Sequence, residues 1–195
     1  MNLFSITLVL FLIMDPLGNV KNFITYVENL DERRQKVVIF REMCIALAFI
    51  LFFNFIGDYL FDFLKISNIA VYLSSAIILF LGAIKILFPK TNHLELKITE
   101  EPLLVPLAIP MIAGPALLAT VMLYASTEQS TATMVTAILI AWAISSVILY
   151  FSKEIIKTIG PSALTACEKL MGMVLVLLAI QRFLQGIILF NAEVS

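Results

Sequence analysis

The sequence predicts an all-α polytopic membrane protein, with six transmembrane helices arranged as two inverted three-helix repeats and helices 1 and 4 discontinuous. Three observations lead there. Of 195 residues, 61% are hydrophobic and only 14% are charged, with a mean hydropathy of +1.02; soluble domains do not reach such values. The apolar residues fall into six runs near the length of about 20 residues that crosses a hydrocarbon core. These runs lack the period-2 alternation of an outer-membrane barrel, although Phe, Ile, Val and Leu also suit strands.

In chain order, the first span runs from roughly Leu3 to Tyr26 and carries the interruption Asp15-Pro16-Leu17-Gly18-Asn19. The second occupies roughly Val37 to Gly57 and the third roughly Ile66 to Phe88. A polar connection, Pro89 to Glu101, follows. The fourth span, roughly Pro102 to Ala125, is interrupted at Ile112-Ala113-Gly114-Pro115. The fifth covers roughly Thr133 to Ser152. Gly160-Pro161 resets the chain, and the sixth runs to about Ile188, with Pro161 in a first helical turn where its missing N–H costs nothing. The whole chain, 1–195, reads as one transmembrane domain with repeat halves of about 1–92 and 97–190 joined by a cytoplasmic loop.

Basic residues set the orientation. Arg33, Arg34, Lys36 and Arg41 lie between spans one and two. Lys85, Lys90 and Lys97 flank the connection after span three, and Lys153, Lys157 and Lys169 the one after span five. The opposite side has Lys65 and Arg182. The positive-inside bias puts the basic connections in the cytoplasm and both termini outside. Lys21 sits in the inner half of span one, able to snorkel toward the same side. The amino terminus has no basic n-region or small-residue cleavage site, so the first segment is expected to be retained.

Composition also excludes functions. A formal charge of -1 with no basic patch gives nucleic acid nothing to bind. Cys44 and Cys167 have no ligand-like spacing and read as small packing residues. His93 is the single histidine, in a polar loop, so neither a zinc site nor a catalytic triad has its parts. No GxxxxGK[ST] run offers direct ATP drive. The chain reads as a non-enzyme without a cofactor, its partners being the bilayer and a small solute.

A shift of 96 residues aligns Leu8-Val9 with Leu104-Val105, Ile13 with Ile109 and Gly18 with Gly114. The same shift aligns Leu79, Leu81 and Ala83-Ile84 with Leu175, Leu177 and Ala179-Ile180. Identities among Leu, Ile and Ala are common in an apolar chain. Weight comes from both interruptions and both third helices falling on one offset. Three spans per half make the second half enter the membrane from the opposite side, an inverted repeat. By the repeat, Arg182 matches Ile86 and is placed near the outer interface, as a snorkelling side chain.

Broken helices at membrane depth are tolerated where protein or a water-filled cavity satisfies the freed backbone. Asp15 suits the N-cap of a new half-helix with Pro16 in its first turn, while Gly18 weakens the continuous helix. Gly114 and Pro115 play the same two parts without a charge. The two half-helix N-termini would face each other near the midplane, each ready for an anionic group. Asn19 and Asn22 follow Asp15 at helical spacing on one face, and Thr120 adds a hydroxyl. The candidate substrate- or ion-binding residues are therefore Asp15, Pro16, Gly18, Asn19, Asn22, Gly114, Pro115 and Thr120. A structural reading stands beside this one: Asp15 capping its own half-helix, with Asn19 and Asn22 as interhelical glue.

The interruption in span one, Val105-Pro106-Leu107-Ala108-Ile109-Pro110-Met111-Ile112-Ala113-Gly114-Pro115, and Lys169-Leu170-Met171-Gly172 with Ala179-Ile180-Gln181 resemble the MarC family over essentially the whole chain. This family comprises six-helix bacterial and archaeal inner-membrane proteins, also grouped as neutral amino acid transporters and similar to the lysine-exporter superfamily. The resemblance implies a bacterial inner-membrane location and a secondary transporter of small neutral amino acids. The chain departs from the family pattern at Lys21, where relatives carry proline, at Ser74-Ser75, where they carry glycines, and at Ala116.

The expected function is alternating-access transport of a small amphoteric solute, coupled to a proton or sodium gradient. A channel would need a continuous polar lining that the scattered polar residues do not supply. An intramembrane enzyme lacks a His or paired carboxylate at depth to activate a hydroxyl. A structural or regulatory membrane protein is the remaining alternative.

Overall fold

The computed structural model describes residues 2–27, 31–88, 112–127 and 130–194. The described residues are all-helical: α1 (Leu3–Met14), α2 (Pro16–Val27), α3 (Glu32–Leu64), α4 (Asn68–Leu87), α5 (Pro115–Thr127), α6 (Thr131–Tyr150), α7 (Ser152–Ile159) and α8 (Pro161–Val194). Among the described residues, five segments are long and apolar enough to cross a membrane: Leu3–Lys21, Arg33–Gly57, Asn68–Leu87, Thr131–Tyr150 and Pro161–Glu193. The expected fourth span is described only in its second part, the shorter apolar helix Pro115–Ser126. Its first part, with Pro106 and Pro110, and the polar connection holding His93 lie outside the described residues.

Span one breaks where expected. Asp15 ends α1 in a left-handed conformation, φ 43° and ψ 58°, which Asp tolerates better than most residues. α2 then begins at Pro16. The expected second span is longer than its apolar core: α3 has 33 residues, about 50 Å at 1.5 Å per residue, and so extends beyond the hydrocarbon or tilts. It starts among charges, Glu32, Arg33 and Arg34, which hydropathy alone places in a loop but which are good helix formers. Lys65, also left-handed at φ 52°, ends it. Ser67 then caps α4 by accepting from the Ala70 N–H at 3.2 Å.

The helix α7 was not expected. Its eight residues, Ser-Lys-Glu-Ile-Ile-Lys-Thr-Ile, put apolar and charged side chains on opposite faces, the pattern of a helix lying along an interface. Gly160, at φ 83°, supplies the turn that only glycine adopts freely, and Pro161 opens α8.

α4 packs along α8, α3 against α5, and both α1 and α2 against α6. Close approaches explain three glycines. A Cβ on Gly57 would come within 2.9 Å of Met122, pinning α3 to α5. A Cβ on Gly172 would meet Ile86 at 3.0 Å, and one on Gly186 would meet Leu73 at 2.8 Å. α4 and α8 therefore run antiparallel in contact over most of their length. The main core joins α1, α2, α3, α5 and α6 through Leu10, Met14, Phe23, Met43, Leu117 and Ile138. Trp142 donates its indole N–H to the Met43 carbonyl at 2.8 Å, tying α6 to α3.

The outside is apolar. Phe52, Phe55, Tyr59 and Phe63 on α3, and Leu170, Leu177 and Ile188 on α8, are exposed, a surface that suits lipid rather than water. Cys44, expected as a packing residue, is exposed on that surface too.

Candidate functional site

Asp15 caps α2. One carboxylate oxygen accepts from the Gly18 N–H at 3.1 Å, and the residue's own carbonyl accepts from the Asn19 N–H at 3.1 Å. The amide of Asn19 reaches back across the break to donate to the Met14 carbonyl at 3.1 Å. A carbonyl freed by the interruption is thereby satisfied, as a buried break demands. Gly18 is required for this seat: a Cβ there would press into the Asp15 carboxylate, 2.8 Å from its Cγ. With 6% of its surface exposed, Asp15 is buried.

The second break has matching parts. Pro115 opens α5, and the Gly114 carbonyl accepts its first helical bond, from the Leu118 N–H at 3.0 Å. The first-turn amides of α5 have no acceptor within their helix. Unlike α2, this end carries no acidic cap.

Both breaks line one cavity of about 530 Å³. Asp15, Gly18 and Asn19 bound it on one side and Gly114 and Pro115 on another, with Leu79, Ala83 and Leu175 closing the wall between. Of the sequence-derived candidates, these five come together. Pro16 starts α2 without lining the cavity. The Asn22 side chain lies outside the described residues. Thr120 faces elsewhere: its hydroxyl donates to the Ala116 carbonyl at 2.6 Å and accepts from Arg182 at 2.7 Å.

Two charged lining residues, Lys85 and Glu168, were not singled out in the sequence. Lys85 entered only as one of many basic residues, and nothing in the spacing of Glu168 marked it. Glu168 answers the departure at Lys21, whose ammonium donates to its carboxylate at 3.0 Å and to the Thr165 hydroxyl at 2.6 Å. The extra positive charge is thus matched by an acid on α8.

Arg182 overturns an expectation. Placed as a snorkelling side chain, it is only 4% exposed, held by Thr120 and with its guanidinium carbon 5.4 Å over the centre of the Tyr124 ring. Which face of α8 the residue occupies is set by packing against α5, which spacing along the chain could not supply. No group of three or more His, Cys, Asp or Glu side chains able to hold a metal occurs among the described residues.

Comparison with known proteins gives a consistent result. A UPF0056 membrane protein of Buchnera aphidicola (subsp. Acyrthosiphon pisum, strain APS) is 44% identical over 185 residues, covering 94% of each chain. The UPF0056 inner membrane protein YhgN of Escherichia coli K12 is 41% identical over 186 residues, again covering 94% of each. A UPF0056 membrane protein of Chlamydia pneumoniae is 32% identical over 193 residues, 97% of this chain and 96% of the relative. No solved structure matches. The model of the MarC family of integral membrane proteins matches residues 1–190. With its apolar helices and an inner-membrane homologue, the chain is a multi-pass bacterial inner-membrane protein, and it belongs to the MarC family.

Proposed function

We propose that the chain is a secondary transporter that moves small neutral amino acids, or similar amphoteric solutes, by alternating access. The observation that carries the reading is the single cavity onto which both helix breaks open, the arrangement by which discontinuous helices hold solute and coupling ion. The two breaks offer different chemistry. Asp15 already occupies the positive end of α2, so that end is closed to a solute's carboxylate and presents a negative charge instead. The N-terminus of α5 has no such cap and is suited to a carboxylate. A zwitterion therefore lies with its ammonium toward Asp15 and its carboxylate toward Gly114 and Pro115. Asp15 is also the group through which a proton or sodium ion is coupled.

The inverted repeat belongs to the same proposal. Element boundaries support it: shifted by 96 residues, the long α3 falls on α6 plus α7, and α4 falls within α8. Leu79, Ala83, Leu175 and Ala179 form one cluster, and the shift exchanges Leu79 with Leu175 and Ala83 with Ala179. A self-complementary contact of this kind is what a two-fold axis between α4 and α8 requires.

The test is uptake of radiolabelled neutral amino acids into proteoliposomes under imposed proton and sodium gradients. The expected outcome is saturable, gradient-dependent flux, with Asp15→Asn lowering it at least about tenfold through loss of a charge contact worth roughly 1.5–3 kcal/mol. Uptake no different from empty vesicles across neutral amino acids and organic ions would end this reading.

A further inference from the structure

The Arg182 guanidinium is a buried cation with no described carboxylate beside it. Nη1 donates to Thr120 at 2.7 Å, the guanidinium carbon lies over the Tyr124 ring, and Nη2 is buried without a hydrogen-bond partner among the described residues. Tyr72 lies in electrostatic reach of both Tyr124 and Arg182, and its Cβ packs at 3.3 Å from the Cβ position of Gly186, one turn beyond Arg182. An unpaired charge in a membrane interior is costly, and such residues line solute paths or meet counter-ions. The surrounding hydroxyl and rings orient the guanidinium but, among the described residues, leave its charge uncompensated.

Its position is equally telling. The three helices around it, α4, α5 and α8, are among those that wall the cavity. Arg182 lies about 10 Å along α8 from the lining residue Leu175, and Tyr72 about 10 Å along α4 from Leu79. Thr120 lies about 8 Å along α5 from Pro115. Lys85 and Glu168 mark the other end of the cavity on α4 and α8. The Thr120 hydroxyl joins the two places directly, through the Ala116 carbonyl on the cavity wall.

We infer that Arg182, oriented by Thr120, is a carboxylate-binding site beyond the end of the cavity opposite Lys85 and Glu168. The planar fork of arginine matches a carboxylate, and Nη2 supplies the free donors. In this conformation Nη2 is sealed, so the site fills when α5 and α8 part. Thr120 acts as a positioning residue: its hydroxyl, saturated by Ala116 and Arg182, has no donor left for a solute. Occupancy of this site does not depend on whether the chain transports amino acids.

The experiment uses the full chain in nanodiscs of neutral phosphatidylcholine, with sodium acetate replacing sodium chloride at constant ionic strength while the unfolding temperature is read. A ligand of the folded state raises that temperature saturably. The wild type is expected to show such a rise. Arg182→Lys, which keeps the charge and loses the fork, is expected to raise the half-saturating acetate concentration roughly tenfold. Arg182→Gln is expected to abolish saturation, and Thr120→Val to weaken it while leaving a response. A flat wild-type titration, or an unchanged half-saturating concentration in Arg182→Lys, overturns the inference, and both readings survive a failure of Arg182→Gln to fold. Amino acid flux is measured separately, so an acetate response without flux would sink the transport proposal and leave this site standing.

Discussion

Asp15 combines three demands in one residue: a left-handed backbone, an N-cap acceptor and a charge on the cavity. Substitutions separate them. Asparagine tolerates φ 43° and still accepts from the Gly18 N–H, so Asp15→Asn is expected to leave unfolding within about 0.5 kcal/mol of wild type. Alanine loses the cap and strains the backbone, so Asp15→Ala is expected to cost roughly 2 kcal/mol or more. Reversible unfolding in mixed micelles reads both values, and equal loss in the two variants would mean the charge, not the cap, holds the break together. The residue's place and capping role were legible because Asp-Pro followed by Gly in an apolar run has few other uses. The reach of Asn19 back to Met14 was not legible, since spacing along α2 says nothing about the helix before the break.

At the level of helices, contacts between elements matter more than propensities. Gly57 lets α3 and α5 touch, its Cβ position lying 2.9 Å from Met122 side-chain atoms and 3.1 Å from the Met122 Cα. Backbone is close on the far side, so the clash cannot be relieved by a rotamer change alone. Gly57→Val is expected to destabilise by about 1–3 kcal/mol, measurable in the same micelle assay, whereas Gly82→Val, with nothing within 4 Å of its Cβ position, serves as the control. The ion pair between α2 and α8 is the second case. Lys21 and Glu168 have side chains 33% and 23% exposed, and a double-mutant cycle is expected to give a coupling of only about 0.2–1 kcal/mol. A charge swap, Lys21→Glu with Glu168→Lys, should recover most of what either single change loses. Helix boundaries at Pro16, Pro115 and Pro161 were readable because proline and glycine act locally. The extension of α3 to 33 residues and the helix α7 were not, because hydropathy marks apolar runs and passes over charged or amphipathic helical stretches; the partner of Lys21 was not, because it lies far away in the chain.

Across the whole molecule, charge and fold point to one end of the bundle. Lys36, at the start of α3, sits 5.0 Å over the Tyr150 ring at the end of α6, and Lys21 reaches the start of α8. α7, with Lys153 and Lys157, packs beside α2, α6 and α8. The described basic residues at the start of α3, in α2 and in α7 are therefore gathered together, as the positive-inside rule needs if it is to act on the bundle as one body. That end is expected to face the cytoplasm, with Asn2 and the end of α8 on the other side. A fusion of alkaline phosphatase after Ser195 is then expected to be active in intact cells, and a fluorescent-protein fusion at the same point dark. Fusions after Phe151, beside the basic residues of α7, should show the reverse pattern. Neutralising Arg33, Arg34 and Lys36 together removes much of the charge bias next to the first span, so a mixed population is expected from that variant. An inactive phosphatase at Ser195 in the wild type would turn the bundle over. Arg182 and its closed end would then face the cytoplasm, and the cavity end marked by Lys85 and Glu168 would face outward.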